Sequence, residues 1–232
     1  MRMFYYWDPT YILILIGALL SLGASAMVRS TYGKYSRVRN IAGLTGAQAA
    51  ERILRNAGIY DVRIERVSGD LTDHYDPRNK VLRLSDTVYG SASIAAVGVA
   101  AHECGHAVQH DKSYVPLTIR STIVPVVQFG SFLSWPLIIL GFMLRGQLLI
   151  TLGIVLFSAV VAFQIITLPV ELNASRRALV LLEQGGILYR DEVNQAKKVL
   201  NAAALTYVAA AAASILQLLR LIILFGGRGR DD

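Results

Sequence analysis

The chain has 232 residues, of which 54% are hydrophobic and only 17% are charged, and its mean hydropathy is +0.46. This composition excludes an ordinary soluble domain, in which charged residues approach a quarter of the total, and it indicates a membrane protein. The single cysteine, Cys104, excludes an intramolecular disulfide framework and any metal site built from several cysteines.

Four apolar stretches are long enough to cross a bilayer, which takes roughly 20 helical residues. They cover residues 11–28, 122–144, 147–168 and 202–225. We predict that the first is a signal anchor and not a cleaved signal peptide, because a basic cluster follows it directly. The fourth carries Arg220, so it is either a span whose arginine reaches the interface or an amphipathic helix lying against the others.

The net charge of +7 would suit nucleic-acid binding in a soluble protein. However, eighteen of the 23 Lys and Arg residues lie in residues 29–121 and 170–201, which fall on one side of a four-span chain. Positive charge marks the cytoplasmic side, so we predict a multi-pass protein of the plasma (inner) membrane with these two segments in the cytoplasm. Membrane orientation then accounts for the basic character, and we expect no nucleic-acid partner.

Residues 29–121 form the long polar segment of the chain. A capping-box pattern predicts a helix over residues 45–58. Apolar and polar residues then alternate at 62–67 and 81–84, with turn residues between them, which predicts a small β-hairpin. A serine cap predicts a further helix over residues 94–110.

That last helix contains the sequence His102-Glu103-Cys104-Gly105-His106. Histidines four residues apart share one face of a helix and can hold one metal ion, while Glu103 lies beside them and can take a proton from water. The pattern predicts a catalytic zinc ion, one per chain, with Glu103 as general base in metal-assisted hydrolysis. Cys104 points away from this face and is interpreted as a packing residue.

A catalytic zinc site needs a third protein ligand, for which Glu171 is the main candidate. It follows Pro169 at the cytoplasmic end of the third span, and two spans return it to the side of His106. The alternative is a glutamate in the first turn of a helix starting near Pro169, where a negative charge complements the helix dipole. Lesser rivals for the ligand position are Glu183, Glu192 and His74.

Four segments of the chain carry a resemblance to a known family. They are residues 71–78 (LTDHYDPR), 80–85 (KVLRLS), 99–109 (VAAHECGHAVQ) and 168–177 (LPVELNASRR). Together they resemble the YugP-type membrane zinc metallopeptidases over nearly the whole chain. The resemblance implies an integral-membrane, zinc-dependent endopeptidase that hydrolyses peptide or membrane-protein substrates.

That family is in turn similar to the HtpX-type membrane gluzincins, whose third-ligand helix reads Glu-x-x-Ala-Asp. Here Ala174 matches this pattern and Ser175 stands at the aspartate position. Ser175 lies one turn from Glu171 and is therefore a candidate to hydrogen-bond a ligating imidazole. The expected fold is a mostly α membrane protein of about four transmembrane helices, with a small α+β, gluzincin-like zinc-protease domain at the membrane surface.

The chain is accordingly divided into five segments. They are an N-terminal signal-anchor span (1–28), a cytoplasmic metallopeptidase region with the H-E-x-x-H helix (29–121), a transmembrane hairpin (122–169), a third-ligand helix region (170–201), and a C-terminal membrane helix and tail (202–232).

Metallopeptidases commonly hold a substrate as an added strand, since main-chain hydrogen bonds fix its register. The strand predicted just before the metal helix is the candidate edge, and it consists of Val81, Leu82, Arg83 and Leu84. The other interpretation is that this strand is purely structural. Small residues in the spans allow close packing with a second copy or with an accessory membrane protein, without choosing between them.

Other functional classes fit the sequence less well. A noncatalytic membrane adaptor or partner subunit with a structural metal would have no need of Glu103. An intramembrane protease would place the motif within a span, but its helix is apolar only over about residues 94–101. A transporter would carry paired charges within its spans, and none is present in the expected form.

Overall fold

The computed structural model describes residues 8–226 of the chain. Over that range the elements follow one another as helix, helix, three strands and five further helices. In order they are α1 (Tyr11–Tyr35), α2 (Gly46–Asn56), β1 (Arg63–Val67), β2 (His74–Asp76), β3 (Val81–Ser85), α3 (Asp86–Tyr89), α4 (Ile94–Asp111), α5 (Val115–Leu144), α6 (Gln147–Gln184) and α7 (Arg190–Phe225).

Within the described range, α1, α5, α6 and α7 are each long and apolar enough to cross a membrane. They contain 25, 30, 38 and 36 residues, respectively. Many large apolar side chains on them are exposed, as a lipid-facing surface requires. This confirms a mostly α membrane protein with four candidate spans and a small α+β part.

All four of these helices extend further than the sequence pattern predicts, and α6 does so past a proline. Helix α6 continues through Pro169 to Gln184, so the predicted helix start near Pro169 is wrong. Proline removes one N–H donor, and neighbouring helices can compensate for such a break in a membrane helix. Glu171 therefore lies in a helix interior, which removes the interpretation that it complements the dipole at a helix start.

The three strands form one sheet in the order β1-β3-β2. Strand β1 pairs in parallel with β3, and β2 pairs antiparallel with β3. The predicted hairpin between residues 62–67 and 81–84 is therefore wrong, because the hairpin partner of β3 is β2. Strand β2 has only three residues and no apolar run that would have indicated it.

The central position of β3 also bears on the prediction that a substrate peptide adds to this strand. Both sides of β3 are already hydrogen-bonded to a neighbouring strand, so no side is left for an added peptide. The prediction that Val81, Leu82, Arg83 and Leu84 bind substrate by strand addition is therefore wrong. All four take part in the sheet, and Val81, Leu82 and Leu84 are fully buried.

The chain divides into two compact units. The first, called the helical unit, contains residues 8–23, Ile119–Thr167 and residues 207–226 of the described range. The second, called the site unit, contains Ala24–Thr118 and Leu168–Thr206 and has the larger apolar core. The sheet, α2, α3 and α4 lie in the site unit, as do both segments of the candidate site. The five-segment division stays a prediction.

Candidate metal centre

Helix α4 positions the two histidines of the motif. Ser93 caps its start, where the side-chain oxygen accepts a hydrogen bond from the backbone N–H of Ala96 at 3.2 Å. The helix is buried along most of its length. His102 and His106 lie one turn apart with ring centroids 4.8 Å from each other and ring planes at 85°.

Helix α6 brings Glu171 to the same place because it packs very closely on α4. A Cβ atom added to Gly105 would lie 2.4 Å from the carbonyl oxygen of Ala174. No side chain fits in that space, so the two backbones meet where Gly105 and Ala174 cross. Glu171 lies one turn before this contact, on α6.

The resulting cluster contains two imidazoles and one carboxylate. Glu171 Oε2 lies 3.2 Å from His102 Nε2 and 3.6 Å from His106 Nε2. One atom from each residue falls within 4.8 Å of the others, so the three can hold a metal ion. The Glu171 side chain is 3% exposed, while those of His102 and His106 are 14% and 12% exposed. Two nitrogens and one carboxylate oxygen are a donor set that zinc accepts in sites with a fourth, open position.

The electrostatics of the cluster favour a cation. Burial opposes a positive charge on His106, but the hydrogen bond with Glu171 and the negative charges of Glu103 and Glu171 outweigh it. The pKa of His106 therefore lies above its usual value. A proton and a metal ion are both attracted by this excess of negative charge, and they compete for the same nitrogen.

Glu103 lies beside the cluster and takes no part in the three-residue group. It is 8% exposed, and within residues 8–226 its carboxylate makes no hydrogen bond or ion pair. Its charge acts on His106, which places it close to that imidazole. A buried carboxylate without a structural partner is free to bind water or substrate.

Each histidine also has a hydrogen-bond partner for its second ring nitrogen. The hydroxyl of Ser175 lies 3.1 Å from His102 Nδ1, as the position of Ser175 one turn after Glu171 predicts. His106 Nδ1 lies 3.0 Å from Gln109 Oε1, a contact that the sequence interpretation missed. The signal in the sequence was a glutamine three positions after the second histidine, on the same helical face, and only the structure shows that it is fully buried.

The other candidates for the third ligand position are either hydrogen-bonded to other groups or exposed. Glu192 accepts hydrogen bonds from the backbone N–H groups of Ile41 and Tyr189, and Glu183 is exposed. His74 lies next to Arg83 on the exposed face of the sheet. The Cys104 thiol donates to the carbonyl of Ala50, in line with a packing role.

Comparison with known proteins agrees with this geometry. Residues 10–226 match the model of a family described as "Putative neutral zinc metallopeptidase". The chain belongs to this zinc metallopeptidase family. It is 53% identical over 224 residues to the "Putative membrane protease YugP" of Bacillus subtilis (strain 168), an alignment that covers 96% of this chain and 99% of that protein. No solved structure matches.

Membership in the zinc metallopeptidase family gives the cluster a chemical interpretation. Its three ligand-type side chains come from two helices that are distant in sequence, and a carboxylate without a structural partner lies next to them. The donor set fits zinc, and the extra carboxylate is unnecessary for a site that only holds a metal.

Proposed function

We propose that the protein is an integral-membrane, zinc-dependent endopeptidase that hydrolyses peptide bonds in peptide or membrane-protein substrates. The observation that carries the proposal is the largely buried group of His102, His106 and Glu171, with Glu103 beside it, in a member of a zinc metallopeptidase family. We propose one zinc ion per chain, held by these three residues.

Each residue of the site has a defined task in this proposal. A zinc ion held there would acidify a water molecule and polarise the scissile carbonyl. Glu103 accepts the proton of the attacking water and delivers it to the nitrogen of the leaving amine. The partial burial of the site limits competing solvent, which strengthens the electrostatic contribution of Glu103 and Glu171.

The direct test compares two glutamate variants in detergent-purified protein. Glu103→Gln should keep zinc and lose most peptide hydrolysis, because the amide cannot accept the proton. Glu171→Ala should lose zinc and hydrolysis together. Exposed Glu51, whose side chain is 54% exposed, offers the matched control Glu51→Gln, which should leave both quantities unchanged.

The same measurements decide between the peptidase and a noncatalytic adaptor with a structural metal. An adaptor would bind zinc without any hydrolysis that depends on Glu103. Equal hydrolysis by Glu103→Gln and the parent protein would contradict the peptidase proposal. Full zinc content in Glu171→Ala would place the third ligand elsewhere.

We also propose that the site faces the cytoplasm from the plasma membrane, on the basis of the eighteen basic residues in two segments. In a Cys104→Ala background, Tyr60→Cys should be protected from an impermeant thiol reagent in intact cells, since Tyr60 is 80% exposed and lies in the predicted cytoplasmic segment. Arg230→Cys, outside the described residues, should be labelled. The reverse pattern would invert this orientation.

Strand β2 is the sheet edge next to the metal helix, and we propose that it pairs with the substrate. The hydroxyl of Tyr75 on β2 lies 2.9 Å from His110 Nδ1 on α4, which ties this edge to the helix that carries both histidines. Substrate peptides with single N-methylated amides should show a raised KM at alternate positions along the chain. A uniform KM along the series would exclude strand addition at this edge.

A further inference from the structure

The side chain of Gln109 links the candidate metal centre to helix α6. Gln109 is fully buried on α4, one turn after His106. Its amide makes three contacts. Oε1 lies 3.0 Å from His106 Nδ1, while Nε2 lies 2.8 Å from the carbonyl oxygen of Val170 and 3.0 Å from Asn173 Oδ1.

These contacts fix which end of the amide faces the histidine. A backbone carbonyl oxygen can only accept a hydrogen bond, so the atom next to Val170 O must be the NH2 group of Gln109. The orientation of Asn173 is fixed in the same way, because Arg177 Nε can only donate and lies 2.7 Å from Asn173 Oδ1. Two independent anchors therefore place Nε2 against α6 and Oε1 against His106.

The orientation of the amide determines where His106 carries its hydrogen. Oε1 of Gln109 can only accept, so His106 Nδ1 must donate a hydrogen to it. A neutral imidazole with hydrogen on Nδ1 keeps the lone pair on Nε2. Nε2 is the atom that faces Glu171, at 3.6 Å, and it is the atom needed by a metal ion.

His102 lacks such a constraint on its hydrogen. Its Nδ1 contacts the hydroxyl of Ser175, which can either donate or accept by rotating about the C–O bond. The two histidines of the motif are thus held differently. In its neutral form His106 is held in one tautomer by the fold, whereas His102 is compatible with both tautomers.

We propose that Gln109 is a positioning residue that selects the Nδ1–H tautomer of His106 and thereby prepares Nε2 to bind the metal ion. This inference rests on the proposed zinc site. Val170, Asn173 and Arg177 act through Gln109 by holding its amide in one orientation. Gln109 touches neither substrate nor metal.

The first test measures the tautomer without any metal. In Glu171→Ala the carboxylate 3.6 Å from His106 Nε2 is gone, and the hydrogen bond between Gln109 Oε1 and His106 Nδ1 remains to select the tautomer. The chain contains only four histidines, so a 15N spectrum of histidine-labelled, metal-free protein above neutral pH is readily assigned. We expect the Nδ1–H form at His106, and we expect it to be lost in Glu171→Ala/Gln109→Met. The Nε2–H form at His106 with Gln109 intact would overturn the inference.

The second test measures zinc affinity by competition with a chromophoric chelator, in variants with an otherwise intact site. Gln109→Met should weaken zinc binding roughly 10–100-fold, as loss of a hydrogen-bond partner of a ligand does. Gln109→Glu keeps an acceptor for His106 Nδ1 and should bind zinc much more tightly than Gln109→Met. Equal losses in both variants would show a purely structural link between α4 and α6 and would overturn the inference.

The matched control is Gln195→Met, the same change at a glutamine on α7 whose buried Oε1 has no hydrogen-bond partner within the described part of the chain. It should bind zinc as the parent does, and a loss as large as that of Gln109→Met would overturn the inference. Failure of the zinc site itself would show as a parent protein that binds no zinc. The tautomer measurement contains no metal, so its outcome is independent of that failure.

Discussion

The helical unit and the site unit use polar side chains in different ways. In the helical unit, several hydroxyl groups bond within their own helix, as when Ser158 donates to the carbonyl of Ile154 and Ser214 to that of Ala210. In the site unit, polar side chains bond between elements. Asn40 donates to the carbonyl of Ala92, and Gln109 to that of Val170.

This difference follows from the surroundings of each unit. A helix among lipids must satisfy its polar groups internally, so its hydroxyls return to their own backbone and add little to tertiary structure. Close packing is left to small residues, such as Gly153, which has no room for a Cβ against Ile138. An exception is Asp8, just before α1, whose carboxylate lies 3.1 Å from the guanidinium of Arg220 on α7. In the site unit, links between elements help to specify a single arrangement.

Apolar truncation should give the largest contrast between the units. Ile53 is fully buried in the core of the site unit, and Ile53→Ala should cost about 2–5 kcal/mol of unfolding free energy because it leaves a cavity. Leu148 in the helical unit is 72% exposed, and Leu148→Ala should change stability by less than about 0.5 kcal/mol. Unfolding of both variants in the same detergent measures the difference, and similar losses would remove the contrast.

The close contact of α4 and α6 predicts the next largest effect. Gly105→Ala forces a Cβ against the backbone of Ala174 and should cost about 1–3 kcal/mol, with weakened zinc binding, since the helices must separate. Gly98→Ala on the same helix is the control. Its Cβ would lie 3.6 Å from Ala196 Cβ, an ordinary contact, so alanine should be neutral or stabilise by up to about 1 kcal/mol. Equal effects would show that the contact is not tight.

Hydrogen bonds between elements should contribute more to the free energy of unfolding than hydrogen bonds within one helix. Asn40 is 3% exposed and donates to the carbonyls of Leu44 and Ala92 at 2.8 and 2.6 Å. Asn40→Ala should cost roughly 1–2 kcal/mol, because it removes both of these hydrogen bonds and the one that Asn40 Oδ1 accepts from the backbone N–H of Leu44. Ser158→Ala removes only a bond to its own helix and should be close to neutral. A larger loss in Ser158→Ala than in Asn40→Ala would reverse the comparison.

The smallest predicted effect concerns Tyr75, whose hydroxyl bonds to His110. Burial, followed by the negative charges of Asp61, Asp76 and Asp111, raises the pKa of Tyr75 from 10.0 to about 12. The unfolded chain therefore loses this proton at lower pH than the folded protein does, and stability should fall as pH rises from 10 towards about 12.

Tyr75→Phe removes both the hydrogen bond and this titration. It should cost about 0.5–1.5 kcal/mol at neutral pH and give a flatter decline in alkaline solution. Unfolding midpoints of both proteins over that pH range measure the effect. A parallel decline in the two proteins would assign the alkaline sensitivity to other groups.

The sequence predicts the features of this protein that are local. The four apolar helices follow from runs of hydrophobic residues, and the shared face of His102 and His106 follows from their spacing in a helix. Glu171 could be proposed as the third ligand because two spans separate it from His106, and an even number of spans returns the chain to the same side of the membrane. These predictions need no knowledge of which elements touch each other.

The features that the sequence prediction missed depend on contacts between distant residues. The parallel pairing of β1 with β3 and the central place of β3 could not be deduced, because β2 is short and polar. The orientation of Gln109 depends on Val170 and Asn173, more than 60 residues away in the chain. Continuation of α6 through Pro169 was also missed, because a proline favours the first turn of a helix over its interior.

The order of the site along the chain has a consequence for biosynthesis. His102 and His106 leave the ribosome well before Glu171, and residues 107–170 between them contain all of α5 and much of α6. The three-residue group therefore cannot assemble until both of those apolar helices have been synthesised. A nascent chain that ends before Glu171 holds only two of the three residues, so the site matures late in synthesis, after both apolar segments have been made.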